Sequence, residues 1–240
     1  MSTLYLTGFT DFSAPKSTGL LSNPSRLLIQ HIENTPGSKE ALAELGGYAN
    51  VITTLTEVPQ GDNFEALAKI SKTSAGKILS ALTNTDAIIS FGQGRFTQRA
   101  PVIEGRFENT LNWGALGSSA IDTNQALNHS VGQGDGLGKL VQDLEVMYPG
   151  LSLGTNAGNF LCNLWGYMAH EAAPGRSLFV HLPGCSDRLI AEKLWAANEA
   201  KFRETGLSYA SEMGAPSVED NFGFLKKLVS TWRSFKTKSI

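Results

Sequence analysis

The sequence predicts an α/β fold: one domain over residues 1–240, built as a three-layer α/β/α sandwich around a mostly parallel, mixed central sheet. Three observations predict it. Short apolar, β-prone runs recur along the chain and stop at Gly or Pro. Segments with helical apolar spacing alternate with them. No internal repeat and no linker divides the chain, and 240 residues suit one sizeable core.

The elements follow in order. "TLYLTGF" (Thr3 to Phe9) is apolar, β-prone and closes on Gly and Phe, as a buried first strand would. A loop rich in Ser, Pro and Gly is expected from Thr10 to Ser25. "NPSRLLIQHI" then opens a helix, with Leu27, Leu28, His31 and Ile32 expected on one face. "YANVITTLTEVP" is β-branched and stops at Pro59, which reads as a strand. Phe64 to Leu82 has helical spacing, and "DAIISFGQG" is a buried strand running into a glycine loop. Pro101 to Gln133 is polar and irregular and predicts short strands or a flap. "GLGKLVQDLEVMY" is a helix, "GLSLGTN" a short strand, and Phe160 to Ala172 a helix ended by "PGR". "SLFVHLP" is the last strand. Helices are expected from Ser186 to Glu204, with Ser186 as N-cap, and from Val218 to Lys236.

Composition excludes several classes of function. Hydrophobic residues make up 41% and charged residues 18%, which places the chain among globular proteins. Twenty basic and 22 acidic residues leave a net charge of -2, so no basic excess points to nucleic acid or an acidic membrane surface. No apolar run is long enough for a membrane span, and "MSTLYLTGF" lacks the basic-then-apolar order of a signal peptide. Two Cys build no disulfide framework, so a reducing cytoplasm with free thiols is expected. No metal or other cofactor is implied.

The glycine run "GQGDGLGK" (Gly132 to Lys139) fails both phosphate-loop templates. Gln133 stands where the P-loop needs its first Gly, and Leu140 where it needs Ser or Thr. The dinucleotide fingerprint needs a preceding strand, and "NQALNHSV" is a poor one. A flexible loop before a helix remains.

"NAGNFLCN" (Asn156 to Asn163) carries more chemistry. It places Cys162 in the first turn of a helix, where the helix dipole favours the thiolate and free backbone amides can hold an oxyanion. A nucleophilic thiol needs a base. His31 and His170 fall in helices and His129 in a polar loop, whereas His181 ends the apolar strand "SLFVHLP". Ligands gather at strand C-terminal ends in parallel sheets, so Cys162 and His181 are expected to open onto one edge. A Cys beside Leu161 and Phe160 also fits a buried small hydrophobe, and a His after an apolar strand also fits a satisfied core residue. Spacing alone leaves both readings open.

These two stretches resemble the motifs of the pyroglutamyl peptidase I family, TAG-x-(F/Y)-x-CN at its nucleophile and F-(V/I)-H-(V/L/I)-P at its histidine. "LTGFTDF" is similar to the family's TGFGPF, "NPS" at Asn23 to Ser25 to its NPS or NAS, and "FGQGR" to a shortened VGQAGGR. The similarity is collinear over nearly the whole chain. It implies a cysteine peptidase that removes N-terminal pyroglutamate from small peptide or lactam substrates through Cys162, His181 and a glutamate. The family's Glu precedes an Asn by five residues, which "EGRFEN" meets with Glu104 and Asn109; Glu108 is the rival. It further implies that Phe9 and Phe12 hold the lactam ring, that Asn23 and the Gln93 backbone make polar contacts, and that Arg95 helps the oxyanion. A homo-oligomer, dimer or tetramer, is implied as well.

The departures lie around the substrate and not at the nucleophile. Asp11 replaces the Pro of GFGPF, the stretch from Phe12 to Asn23 is longer, and "TLNWGALGSSAIDTNQ" replaces the family's "ARIPDN"-like stretch. Two alternatives therefore stay open: a thiol amidohydrolase or acyl transferase of the same fold acting on another small lactam or acyl group, and a non-catalytic binding protein.

Overall fold

The computed structural model describes residues 2–10, 23–59, 61–94, 98, 100–127, 129–132, 136–183 and 217–238. A six-stranded sheet organises them, in the order β2-β1-β3-β10-β4-β9. Its strands are β1 (Thr3–Phe9), β2 (Asn50–Thr56), β3 (Ala87–Gln93), β4 (Val102–Glu104), β9 (Ser152–Gly154) and β10 (Ser177–Leu182). The four strands from β2 to β10 are parallel; β4 pairs antiparallel with β10, and β9 follows β4. The sheet is thus mostly parallel and mixed, as the alternation of strand and helix predicts.

Alternation within the strands assigns the two faces. Leu178, Val180 and Leu182 of β10 join Ala87, Ile89 and Phe91 of β3 in one core, together with Leu4 and Leu6. That core is closed by α1 (Pro24–Asn34), α2 (Ser38–Gly46), α4 (Gly136–Glu145) and α6 (Val218–Lys238). Phe179 and Ile88 point the other way, into a second core with Leu164, Trp165 and Tyr167. There α3 (Phe64–Leu79) and α5 (Leu161–Ala172) form the third layer. Both faces of β3 are covered, which is why "AIISFGQ" carries an almost unbroken apolar run.

The chain starts its first helix where sequence chemistry places it. Asn23 is the N-cap of α1 and accepts from Ser25 N at 3.0 Å, and Pro24 follows at N1, where its missing N–H costs nothing. Pro24 and Ser25 are therefore helical rather than loop. The buried stripe runs through Ser25, Leu28, Ile29 and Ile32, so the face is turned by one residue from the one expected, and Leu27 and His31 sit at its margin. Helix α2 is additional to the expected elements; it is nine residues long and is capped by Gly47, whose φ of 67° is the left-handed conformation glycine adopts cheaply.

The irregular stretch resolves into small pieces. β5 (Arg106–Glu108) pairs with β8 (Ser130–Gly132), and β6 (Leu111–Asn112) with β7 (Ser118–Ser119). Phe107 and Val131 pack on α5, and Gly166 of that helix leaves room for the Phe107 ring, which an added Cβ would overlap. The expected helix from Ser186 to Glu204, most of the loop from Thr10 to Ser25, and Gln133 to Asp135 lie outside the described residues.

Candidate active site

Three side chains from three elements meet on the α3/α5 face of the sheet. His181 is on β10, two residues beyond Phe179 and so on the same face. Glu104 lies opposite Phe179 across the antiparallel β4–β10 pair, which makes it a diagonal neighbour of His181. Its Oε1 stands 2.7 Å from His181 Nδ1. Cys162 is the second residue of α5, and its sulfur lies near enough to the same imidazole to act on its charge. Its thiol also reaches the sheet at Gly92, the β3 partner of His181, where a Cβ would fall 2.8 Å from Sγ.

The route to this meeting differs from the parallel-edge expectation. β9 runs opposite to β10, so the chain leaving β9 must turn back before α5 begins. Asn156 and Gly158 make that turn: Gly158 N donates to Asn156 Oδ1 at 2.7 Å, and Gly158 has a φ of 81°, open to glycine at no steric cost. Asn163, fully buried, then pins the first turn of α5. Its Nδ2 donates to the carbonyls of Glu108 and Thr110, both at 2.7 Å, and its Oδ1 accepts from Glu108 N at 2.8 Å. The first backbone amides of α5, beside Cys162, have no helical partners, and among the described residues no side chain caps them.

Burial and charge define what the cluster can do. Glu104 is 4% exposed, Cys162 and His181 are half-buried. Burial alone would push the His181 imidazole toward its neutral form. The interaction with Cys162 and the hydrogen bond and charge of Glu104 together outweigh burial and raise the His181 pKa from 6.5 to about 10. A carboxylate only accepts, so Nδ1–H donates to Glu104 and Nε2 is left to face the thiol. An imidazole held between a carboxylate and a thiol at a helix start can take a proton from sulfur and hand it on.

The other predicted residues are placed as follows. Glu108 lies in β5 opposite Ser130, four residues from Glu104, and makes no hydrogen bond to His181. Phe9 is buried at the end of β1, edge-on to Trp165 with ring centroids 6.2 Å apart. Asn23 is fully buried; its side chain caps α1 and donates to Thr10 O at 3.2 Å. Gln93 ends β3 and lines a cleft of about 620 Å³ together with Glu104, His181 and the loop from Gly154 to Gly158. Phe12 and Arg95 lie outside the described residues.

Three contributors had no sequence signal of their own. Gln98 donates through Nε2 to the His181 carbonyl at 2.8 Å and to Ala100 O at 2.9 Å, bracing the strand end that carries the histidine. Gly92 and Gly154 leave space beside Cys162 and Glu104. No three-residue cluster of His, Cys, Asp or Glu suited to a metal occurs among the described residues. No helix among them is long and apolar enough to cross a membrane.

No protein-family model matches the sequence, and no curated protein matches it either. Solved structures do match by fold. The pyrrolidone carboxyl peptidase from Thermococcus litoralis superposes with a TM-score of 0.68 at 14% identity, covering 100% of this chain and 97% of its own. The pyrrolidone carboxyl peptidase from Thermus thermophilus gives 0.61 at 15%, covering 95% and 98%. The pyroglutamyl peptidase I from Bacillus amyloliquefaciens gives 0.57 at 17%, covering 96% and 94%. Over essentially its whole length, this chain has the fold of the pyrrolidone carboxyl peptidases.

Proposed function

We propose that the chain is a cysteine peptidase that removes N-terminal pyroglutamate from peptides through Cys162, His181 and Glu104. The observation that carries the reading is the 2.7 Å contact of Glu104 with His181, whose imidazole also feels Cys162 at the start of α5, in a fold shared with peptidases of that specificity. His181 accepts the Cys162 proton. The thiolate attacks the carbonyl that follows the lactam ring, and the free amides at the start of α5 stabilise the oxyanion. The imidazolium protonates the departing amine, and water, activated by the neutral imidazole, hydrolyses the thioester. Glu104 fixes the imidazole tautomer and balances its charge throughout. A homo-oligomer working in a reducing cytoplasm belongs to the same proposal.

A second reading, a thiol amidohydrolase for another small lactam or acyl group, is favoured by two features. Asp11 replaces the family's Pro, and the Asn23 side chain is already committed to Ser25 and Thr10. Fluorogenic amides of pyroglutamate, proline and glutamine separate the readings. Cleavage of the pyroglutamyl amide alone supports the first. No cleavage by wild type, with activity gained by Asp11→Pro, supports the second.

A further inference from the structure

Gly154 is the last residue of β9 and pairs with Glu104 across the β4–β9 ladder. A Cβ added there would fall 2.5 Å from Glu104 Cδ, 2.8 Å from Oε1 and closer still to Oε2. The backbone at this point does not call for glycine, because Gly154 is not among the residues with positive φ. A strand position paired in a ladder normally disfavours glycine, which loses more chain entropy on folding and offers no side chain to pack. The exception is a site where another group approaches the backbone closely, and here that group is a carboxylate with 4% exposure.

We propose that Gly154 is a positioning residue: the space left by its missing side chain seats the Glu104 carboxylate against His181. The alternatives to that seat are few. Oε1 already meets Nδ1, and Oε2 is buried, has no hydrogen-bond partner among the described residues and lies over Gly154. The β9 backbone is held in place, since Gly105 N donates to Gly154 O at 2.8 Å and Val102, Ile103 and Glu104 are all in register with β9. When a methyl group enters, the mobile partner is therefore the end of the Glu104 side chain. It swings off Gly154, and His181 loses its acceptor. Folding tolerates this; alignment of the imidazole does not.

The test reads His181 itself, so it stands whether or not the pyroglutamyl reading, on which the catalytic meaning rests, holds. Ring NMR signals of His181 are followed against pH in wild type, Gly154→Ala, Glu104→Gln and the double variant. Gly138→Ala, at a helical position with open space around it, is the control. Gly154→Ala is expected to lower the His181 midpoint by at least about one pH unit, as Glu104→Gln does, because each removes the same partner. The double variant shows no more than either single change. Turnover of a pyroglutamyl amide by Gly154→Ala falls in kcat with KM unchanged. A wild-type His181 titration in Gly154→Ala, or additive effects in the double variant, overturns the proposal. If Gly154→Ala fails to fold, Gly154→Ala/Glu104→Ala regains folding under the proposal, and a double variant that stays unfolded overturns it. A wild type that cleaves no pyroglutamyl amide defeats the functional reading alone and leaves the titration result standing.

Discussion

Glu104 and His181 are diagonal neighbours on one face of an antiparallel strand pair, with Oε1 2.7 Å from Nδ1. The antiparallel pairing matters. It brings a three-residue strand from a polar stretch alongside the end of a buried parallel strand, so the acid approaches the imidazole from across the ladder. A shift of one residue in β4 would turn the Glu104 side chain to the opposite face.

The register yields a direct comparison. Glu104→Gln is expected to reduce turnover by up to about 10⁴-fold, since an amide neither fixes the tautomer nor balances the imidazolium. Glu108→Gln, in β5, should stay close to wild type. Steady-state kinetics on one amide substrate checks both; a larger effect at Glu108 would mean that the 2.7 Å contact has no part in catalysis.

His181→Ala is expected to lose about 10²–10⁴-fold or more in kcat while the chain keeps its fold, because in the proposed mechanism one group serves as base and as proton donor. Circular dichroism and turnover are measured on the same sample. Full activity without the imidazole would remove His181 from the mechanism.

The raised His181 pKa fixes the sign of a pH effect. The imidazolium persists above 6.5 and is lost as pH rises through about 10, so the basic limb of kcat/KM lies well above 6.5. Stability follows the same direction. The contribution of the charged ring is fully present below 6.5 and disappears over the window up to about 10. In Glu104→Gln the basic limb moves toward neutrality. A wild-type limb at 6.5 would show that Cys162 and Glu104 do not hold the charge on the ring.

Asn163→Ala is a test of architecture. It removes three hydrogen bonds that tie α5 to Glu108 of β5 and to Thr110 just beyond it, and stability should fall by roughly 1–3 kcal/mol for each polar group left buried and unpaired. Urea denaturation reads the loss; an unchanged midpoint would mean that water replaces Asn163 at no cost.

Particular residues show what the sequence made legible. β1, β3, β10 and α5 declare themselves because each buries a long apolar run, and the histidine stands out as the polar residue ending one of them. β4, β5 and β9 are three residues each, too short for a period of two to register, and nothing in three residues encodes their direction. That is why the sequence pattern points to a parallel edge for Cys162 and His181, although β9 runs the other way and the turn at Gly158 brings the chain back. Glu104 was separable from Glu108 only through a family spacing. Gln98 was invisible, since its contact with the His181 carbonyl depends on a loop path and not on a pattern.

Brief iodoacetamide treatment near neutral pH, followed by peptide mapping and activity measured on the same sample, tests the central assignment most directly. The account predicts that Cys162, paired with His181, is carboxamidomethylated first and that activity on the pyroglutamyl amide falls in step with its labelling. Labelling of Cys185, the other cysteine of the chain, first, with activity intact, would contradict it.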